Sequence, residues 1–139
     1  MKTSVTWLND YLDPPLDAQT QADVLTAAGF PWDGEGVSDN GEPWQEIETT
    51  SNRGDCLCHV GLAREAAVIG GSRLVPPESA PATVGADAST SIAVDNQSPD
   101  DCPLYTARVI RGVTVRESPD WLKRRLEAIG LVPRNNLGD

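Results

Sequence analysis

Apolar residues recur at helical spacing in four places along this chain. Between residues 4 and 12, Val5, Leu8 and Leu12 fall three and four apart, with Trp7 and Tyr11 beside them. That spacing puts them on one helix face. Thr3 or Ser4 is placed to cap the helix. Asp13-Pro14-Pro15 ends it, because proline lacks an N–H and disfavours helix in the residue before it. A second helix is predicted over residues 18–28, with Asp17 as N-cap, Val24, Leu25 and Ala28 as the buried face, and Gly29 as the stop. A third is predicted over residues 56–69. Val60, Ala63 and Ala67 form one stripe, Leu62, Ala66 and Ile69 its neighbour; Asp55 is the expected cap and Gly70-Gly71 the stop. The fourth start is the best marked. Ser118-Pro119-Asp120 supplies a cap, a proline at the first helical position and an acid in the first turn. Leu122, Leu126 and Ile129 make its apolar face, bordered by Trp121, and Gly130 ends it.

Other segments alternate. From Trp44 to Thr49, Trp44, Glu46 and Glu48 point one way and Gln45, Ile47 and Thr49 the other, which predicts a short strand. Ser91–Asp95 alternates through Ile92 and Val94. Tyr105–Val115 is a second extended run, with Tyr105, Ala107 and Val109 on one face and a bulge expected at Gly112. Residues 31–44 are rich in glycine, proline and acids and read as a loop with a short extended piece around Val37. Residues 51–55 read as a turn. Residues 76–90 (PPESAPATVGADAST) have no apolar period and read as a linker. The division is therefore 1–75, a linker at 76–90, and 91–139. Two strands and one helix cannot easily close a core, so 91–139 is read as the start of a larger domain, with a polar tail from Val132.

Composition narrows the function classes. The 139 residues include 21 acids against 11 Lys and Arg, for a net charge of −10, and the mean hydropathy is −0.34. There is no long apolar run, so no membrane contact is expected. The opening MKTSVTWLNDYLD puts acids where a secretory leader needs an apolar stretch, and a cytoplasmic protein is expected. Three cysteines, an odd count, read as reduced thiols. The acidity argues against a general nucleic-acid binder, which needs cations to displace phosphate counterions. The charge is uneven. Residues 1–44 carry 8 acids and 1 base, whereas residues 103–139 carry 4 acids and 7 bases.

Candidate chemistry is sparse. Cys56, Cys58 and His59 with Cys102 offer four zinc ligands, but a structural site usually has closely spaced pairs on both sides; buried thiols explain them better. His59, the one histidine, has no nucleophile or orienting acid evident beside it, and a packing or capping role explains it better. Arg53-Gly54-Asp55 is accounted for by a turn and a cap. The acids of Asp33–Glu42 lack the spacing of a calcium loop. Lys123-Arg124-Arg125 reads as a solvated helix face, with an RNA or acidic-partner patch as the alternative. No phosphate-cradling loop or nucleophile elbow is present, so no catalytic, cofactor or metal residue is assigned.

The order of segments carries more. Lys2–Asp13 (KTSVTWLNDYLD) resembles the opening of the bacterial phenylalanyl-tRNA synthetase beta subunit, with its S-x-x-W-L-x-x-Y/F-V/L pattern. Leu25-Thr-Ala-Ala-Gly29 resembles the end of that family's second helix. Glu46–Glu65 (EIETTSNRGDCLCHVGLARE) is similar to its E-x-T-x-N-R-x-D-C-L-S/G-H-x-G-x-A-R-E run. Cys102-Pro-Leu-Tyr-Thr-Ala-Arg, Ser118-Pro-Asp-Trp-Leu and Asn135-Asn136 match, in order, the beginning of its editing domain. The chain departs from the family in three ways. Only residues 31–44 stand where most members insert an oligonucleotide-fold tRNA-binding domain. Gly54 replaces the usual proline, and Cys58 stands where serine or glycine is common.

The resemblance implies an α+β protein. Residues 1–75 would form a small, mainly helical, DNA-binding-like domain with one or two short strands, and residues 91–139 would supply the first strands and helix of an α+β editing domain. It implies the N-terminal segment of a beta subunit, structural and tRNA-supporting, in an ATP-dependent aminoacyl-tRNA synthetase. The assembled ligase would pair with its alpha subunit as an alpha2–beta2 tetramer, charge tRNA(Phe), and use ATP and magnesium. This segment alone is not expected to be catalytic or to hold a cofactor. The alternative is a stand-alone acidic protein-interaction module derived from such a subunit.

Overall fold

Residues 1–78, 82 and 85–139 are described in the computed structural model of the protein. Their contacts define two units, Met1–Pro77 together with Arg116–Asp139, and Glu78–Val115. The first unit contains β1 (Lys2–Ser4), α1 (Val5–Asn9), β2 (Leu12–Asp13), α2 (Ala18–Ala27), β3 (Trp32–Val37), β4 (Pro43–Ile47), α3 (His59–Gly70), β5 (Arg73–Leu74) and α4 (Asp120–Ala128).

Three strands form an antiparallel sheet in the order β1-β4-β3, and β2 pairs antiparallel with β5. Thr3 lies opposite Gln45 and Gly36 opposite Trp44, with a register shift between Trp32 and Gly34. The inward residues of β4 are Gln45 and Ile47, as the alternation predicts. Helices α1 and α2 pack on this sheet, and α3 packs on α1, α2 and β5. Leu8, Leu25, Phe30, Ile47 and Leu62 are all essentially inaccessible and share one core with Ala63, Ala66 and Ala67 of α3. Burying a side chain of this size contributes about 1.5–3 kcal/mol. Two amides are buried with them. Gln21 Nε2 donates to the carbonyls of Val5 (3.1 Å) and Leu16 (3.2 Å), and Gln45 Nε2 donates to the carbonyl of Ala18 at 2.5 Å. Each joins the N-terminal end of α2 to another element while satisfying backbone acceptors.

Local signals explain several boundaries. Ser4 Oγ accepts from Trp7 N–H at 3.1 Å, and Asp17 Oδ1 accepts from Thr20 N–H at 2.9 Å; both are N-caps at the positions the sequence marks. Gly71 closes α3 with φ +70, a backbone region that glycine enters without a Cβ penalty.

Other expectations need correction. The first helix is Val5–Asn9 rather than residues 4–12, because strands flank it on both sides. Residues 31–44 are not a loop around a short extended piece at Val37: that piece belongs to β3, which with a tight turn and the start of β4 makes a hairpin. Residues 1–75 hold five strands, more than the one or two expected of a mainly helical domain. The third helix starts at His59 rather than residue 56, preceded by a 3-10 turn at Gly54–Cys56, and Cys58 rather than Asp55 occupies its N-cap. Ser118 does not cap α4. Pro119 stands at that position, and Ser118 Oγ donates to Asp139 Oδ2 at 2.6 Å. The polar tail is therefore tied down, as Arg116 N–H also donates to Asn136 Oδ1 at 2.8 Å.

In the second unit, no strand is present at 91–95 or 105–115 among the described residues. Ile92, Leu104, Tyr105 and Ile110 are exposed. A strand needs a hydrogen-bonded neighbour as well as alternation, and these residues have no ladder. The unit's one helical turn among the described residues is Ala88–Thr90, started by Asp87, whose side chain accepts from Ser89 N–H. Of the expected linker 76–90, residues 79–81, 83 and 84 lie outside the described residues.

Candidate functional site

The stretch from Thr50 to Glu65 concentrates most of the unusual chemistry. Arg53 N–H donates to Thr50 O at 3.0 Å and Cys56 N–H to Arg53 O at 2.9 Å, which winds the chain into a tight turn. Helix α3 then crosses that turn so closely that a Cβ on Gly61 would sit 2.0 Å from the carbonyl oxygen of Asp55. Glycine is required at this approach.

The turn aims Arg53 at three acceptors. Its Nε and Nη2 donate to the two carboxylate oxygens of Asp55 at 3.0 and 2.8 Å, a bidentate pair. Nη2 also donates to Glu65 Oε1, in the middle of α3, at 2.6 Å and to Cys56 Sγ at 3.2 Å. The guanidinium lies 5.0 Å above the ring of Phe30. The hydrogen bonds from Arg53 hold the Asp55 carboxyl down at about 2, and Asp55 with Glu65 raises Arg53 above its ordinary value. Burial pushes the Cys56 thiol up to about 11, so it stays protonated at neutral pH.

Asp55, Cys56 and Glu65 bring ligand atoms within 4.8 Å of one another, the one such grouping among the described residues. The Arg53 cation already fills the space between them. A magnesium ion would need oxygen ligands free of that guanidinium, so the residues do not fit it. Cys58 and His59 face elsewhere. The exposed Cys58 thiol donates to Asp55 O at 3.6 Å. Cys102, in the second unit, donates its thiol to Leu104 O at 3.5 Å.

His59 is buried at a second junction. Its Nε2 accepts from Ser4 N–H at 3.0 Å, and its ring stacks on Trp7 at 4.0 Å between centroids. Burial, with the nearby Arg125 cation, lowers its pKa to about 4, so the ring is neutral at physiological pH and can accept this bond. Arg125 lies over Trp7 and Trp121 and is paired with Asp10. Lys123 pairs with Asp120 at 3.1 Å and Glu117 at 3.4 Å. Of the basic run in α4, Arg124 is left without an ion pair among the described residues. The patch is thus largely neutralised within the fold.

What this arrangement does is orient elements. Arg53 fastens the turn to α3, and His59 fastens α3 to the start of α1. The sequence signal for the first is the Glu46–Glu65 run, in which Arg53, Asp55 and Glu65 all appear, although local spacing alone makes Asp55 a cap.

Comparisons with known proteins bear on this. A B3/4 domain model matches residues 101–139. The phenylalanine–tRNA ligase beta subunit of Rhodopirellula baltica is 42% identical over 139 residues, all of this chain and 20% of that protein. The chain is similar over its whole length to a phenylalanine–tRNA ligase beta subunit. The beta subunits of Bdellovibrio bacteriovorus and Fusobacterium nucleatum are 45% and 44% identical over 94 residues, 68% of this chain and 12% of theirs. The chain thus spans at most about a fifth of the length of these three ligase subunits. The resemblance carried by four ordered motifs is supported, as the N-terminal segment of such a beta subunit. No helix among the described residues is long and apolar enough to cross a membrane.

Proposed function

We propose that this chain acts as a structural, tRNA-supporting segment of a phenylalanine–tRNA ligase beta subunit. The observation that carries the reading is the 42% identity to one such subunit along all 139 residues. The Arg53 clasp and the His59 junction suit a rigid frame rather than a reacting centre, since Arg53 is bound by Asp55 and Glu65 and His59 Nε2 by the Ser4 N–H. Residues 91–139 supply the start of an editing-type domain in this reading, supported by the B3/4 match over 101–139. The alpha subunit, ATP, magnesium and tRNA(Phe) belong to the assembled, cytoplasmic ligase.

The test is depletion in the native cell. Lowering the polypeptide that carries this segment should lower the charged fraction of tRNA(Phe) on acidic gels and leave other tRNAs charged. Affinity purification should recover a phenylalanine–tRNA ligase alpha subunit. Unchanged charging of tRNA(Phe) would overturn the reading.

The alternative, an acidic protein-interaction module, is favoured by one observation: the carboxylates of residues 17–39 have no Lys or Arg in ion-pair contact among the described residues. It predicts normal tRNA charging after depletion.

A further inference from the structure

The first part of the chain holds more negative charge than the fold neutralises. Asp17, Asp23, Asp33, Glu35 and Asp39 have no Lys or Arg in ion-pair contact among the described residues. Lys2, the one base of residues 1–44, is engaged elsewhere, with Nζ 3.8 Å above the ring of Trp44.

One of these acids, Asp23, lines an open groove, and Asp33 and Glu35 follow Trp32 of its other wall along β3. A cavity of about 430 Å³ lies between α2 and β3, lined by Gln19, Ala22, Asp23, Thr26, Ala27 and Trp32. Trp32 is 44% exposed although it is the largest side chain of β3. Its backbone N–H donates to Thr26 Oγ1 at 3.3 Å, which ties the start of β3 to α2. Gln19 Nε2 donates to Asp23 Oδ1 at 2.9 Å, which orients that carboxylate on the opposite wall. β3 is an edge strand, paired with β4 on one side among the described residues.

An indole face, an oriented carboxylate and small residues between them make a seat for a flat or compact cation. A guanidinium or ammonium on the indole gains from the ring quadrupole, and a carboxylate beside it adds a charge-assisted hydrogen bond. The unpaired acids of residues 17–39 repel phosphates and attract basic partners over the distance of a screening length.

We propose that the α2–β3 groove docks a basic polypeptide segment, one arginine or lysine of which lies on Trp32 with its charge met by Asp23. The segment's remaining cations face Asp33 and Glu35 along β3. This goes beyond the ligase reading and does not depend on it.

The experiment uses the full chain, followed by amide and indole NMR. The probe is a capped peptide of alternating arginine and serine, compared with one of alternating glutamate and serine. The Trp32 indole N–H and the amides of α2 and β3 should shift saturably with the arginine peptide and not with the glutamate one. Trp32→Ala should weaken binding about tenfold, as expected for a cation on an indole. Asp23→Asn should weaken it less and should melt as the parent does because Asp23 is exposed; Trp32→Phe, which keeps the covered part of the ring system, should weaken binding less than Trp32→Ala and checks that the loss is not one of folding. Equal affinity across parent and variants, shifts lying elsewhere, or no shifts at millimolar peptide would overturn the proposal. So would a tRNA that moves the same signals, or a dimer abolished by Trp32→Ala, which would assign the groove to a second copy of the chain.

Discussion

Ser4 N–H donates to His59 Nε2 at 3.0 Å, tying the start of α1 to the start of α3 across 55 positions of sequence. The bond requires a neutral ring. In the unfolded chain the imidazole titrates near 6.5, but in the fold near 4. The folded pKa is depressed, so the stabilisation is complete above the unfolded value and is lost as pH falls from about 6.5 to about 4. The loss is about 3 kcal/mol in total, from the shift between those two values. Urea midpoints measured across this range should fall steeply for the parent and less for His59→Gln. An imidazole that titrates near 6.5 in the folded protein would contradict this.

Gly61 is irreplaceable by alanine on steric grounds. The added Cβ would meet backbone rather than a flexible side chain. Gly61→Ala should destabilise by about 3 kcal/mol, the upper end of what overpacking costs, because the contact is with backbone. Gly54→Ala is the control, since open space surrounds that position. Thermal melts of the two variants should differ clearly; equal melts would refute the close approach.

The Arg53 clasp sets a ranking. Arg53→Ala removes the partner of two carboxylates, whereas Asp55→Ala leaves Arg53 still bound to Glu65. Arg53→Ala should therefore lower Tm more than Asp55→Ala. The double variant should cost less than the sum, because the residues share one network. The reverse order would mean that Asp55 acts chiefly through the backbone of the turn.

Phe30 lies under that clasp and is 1% exposed. Phe30→Ala should cost about 3–5 kcal/mol, read from urea denaturation. Val68→Ser, on the 81% exposed side of α3, should change stability by less than about 0.5 kcal/mol.

The residues whose roles were legible in the sequence act locally. Asp17 caps the helix it precedes, Leu25 faces the core, and Gln45 and Ile47 alternate inward, all through neighbours a few positions away. Of strand β3 only the extended piece around Val37 was legible, because Gly34, Gly36 and the acids around them have loop composition. It forms because β4 offers a ladder and because Gly36 leaves room for the Trp44 ring, which a Cβ there would approach to 2.6 Å. Asp55 has the chemistry of a cap, but Arg53 captures it first with two charge-assisted bonds. Glu65 reaches the same cation from twelve residues away, which no local pattern announces. In 105–115 the alternation expresses a capacity to pair, and capacity alone makes no sheet.

Residues 116–139 rejoin the unit built by 1–77. Ala128 is buried there, Asn40 Nδ2 donates to Glu127 Oε2 at 2.7 Å, and Arg125 meets Asp10. The intervening stretch therefore interrupts, in sequence, a unit whose two pieces also meet through these contacts. A cut in that interruption should leave the two pieces joined by those contacts alone, so gel filtration of the nicked chain weighs them against the lost covalent tie.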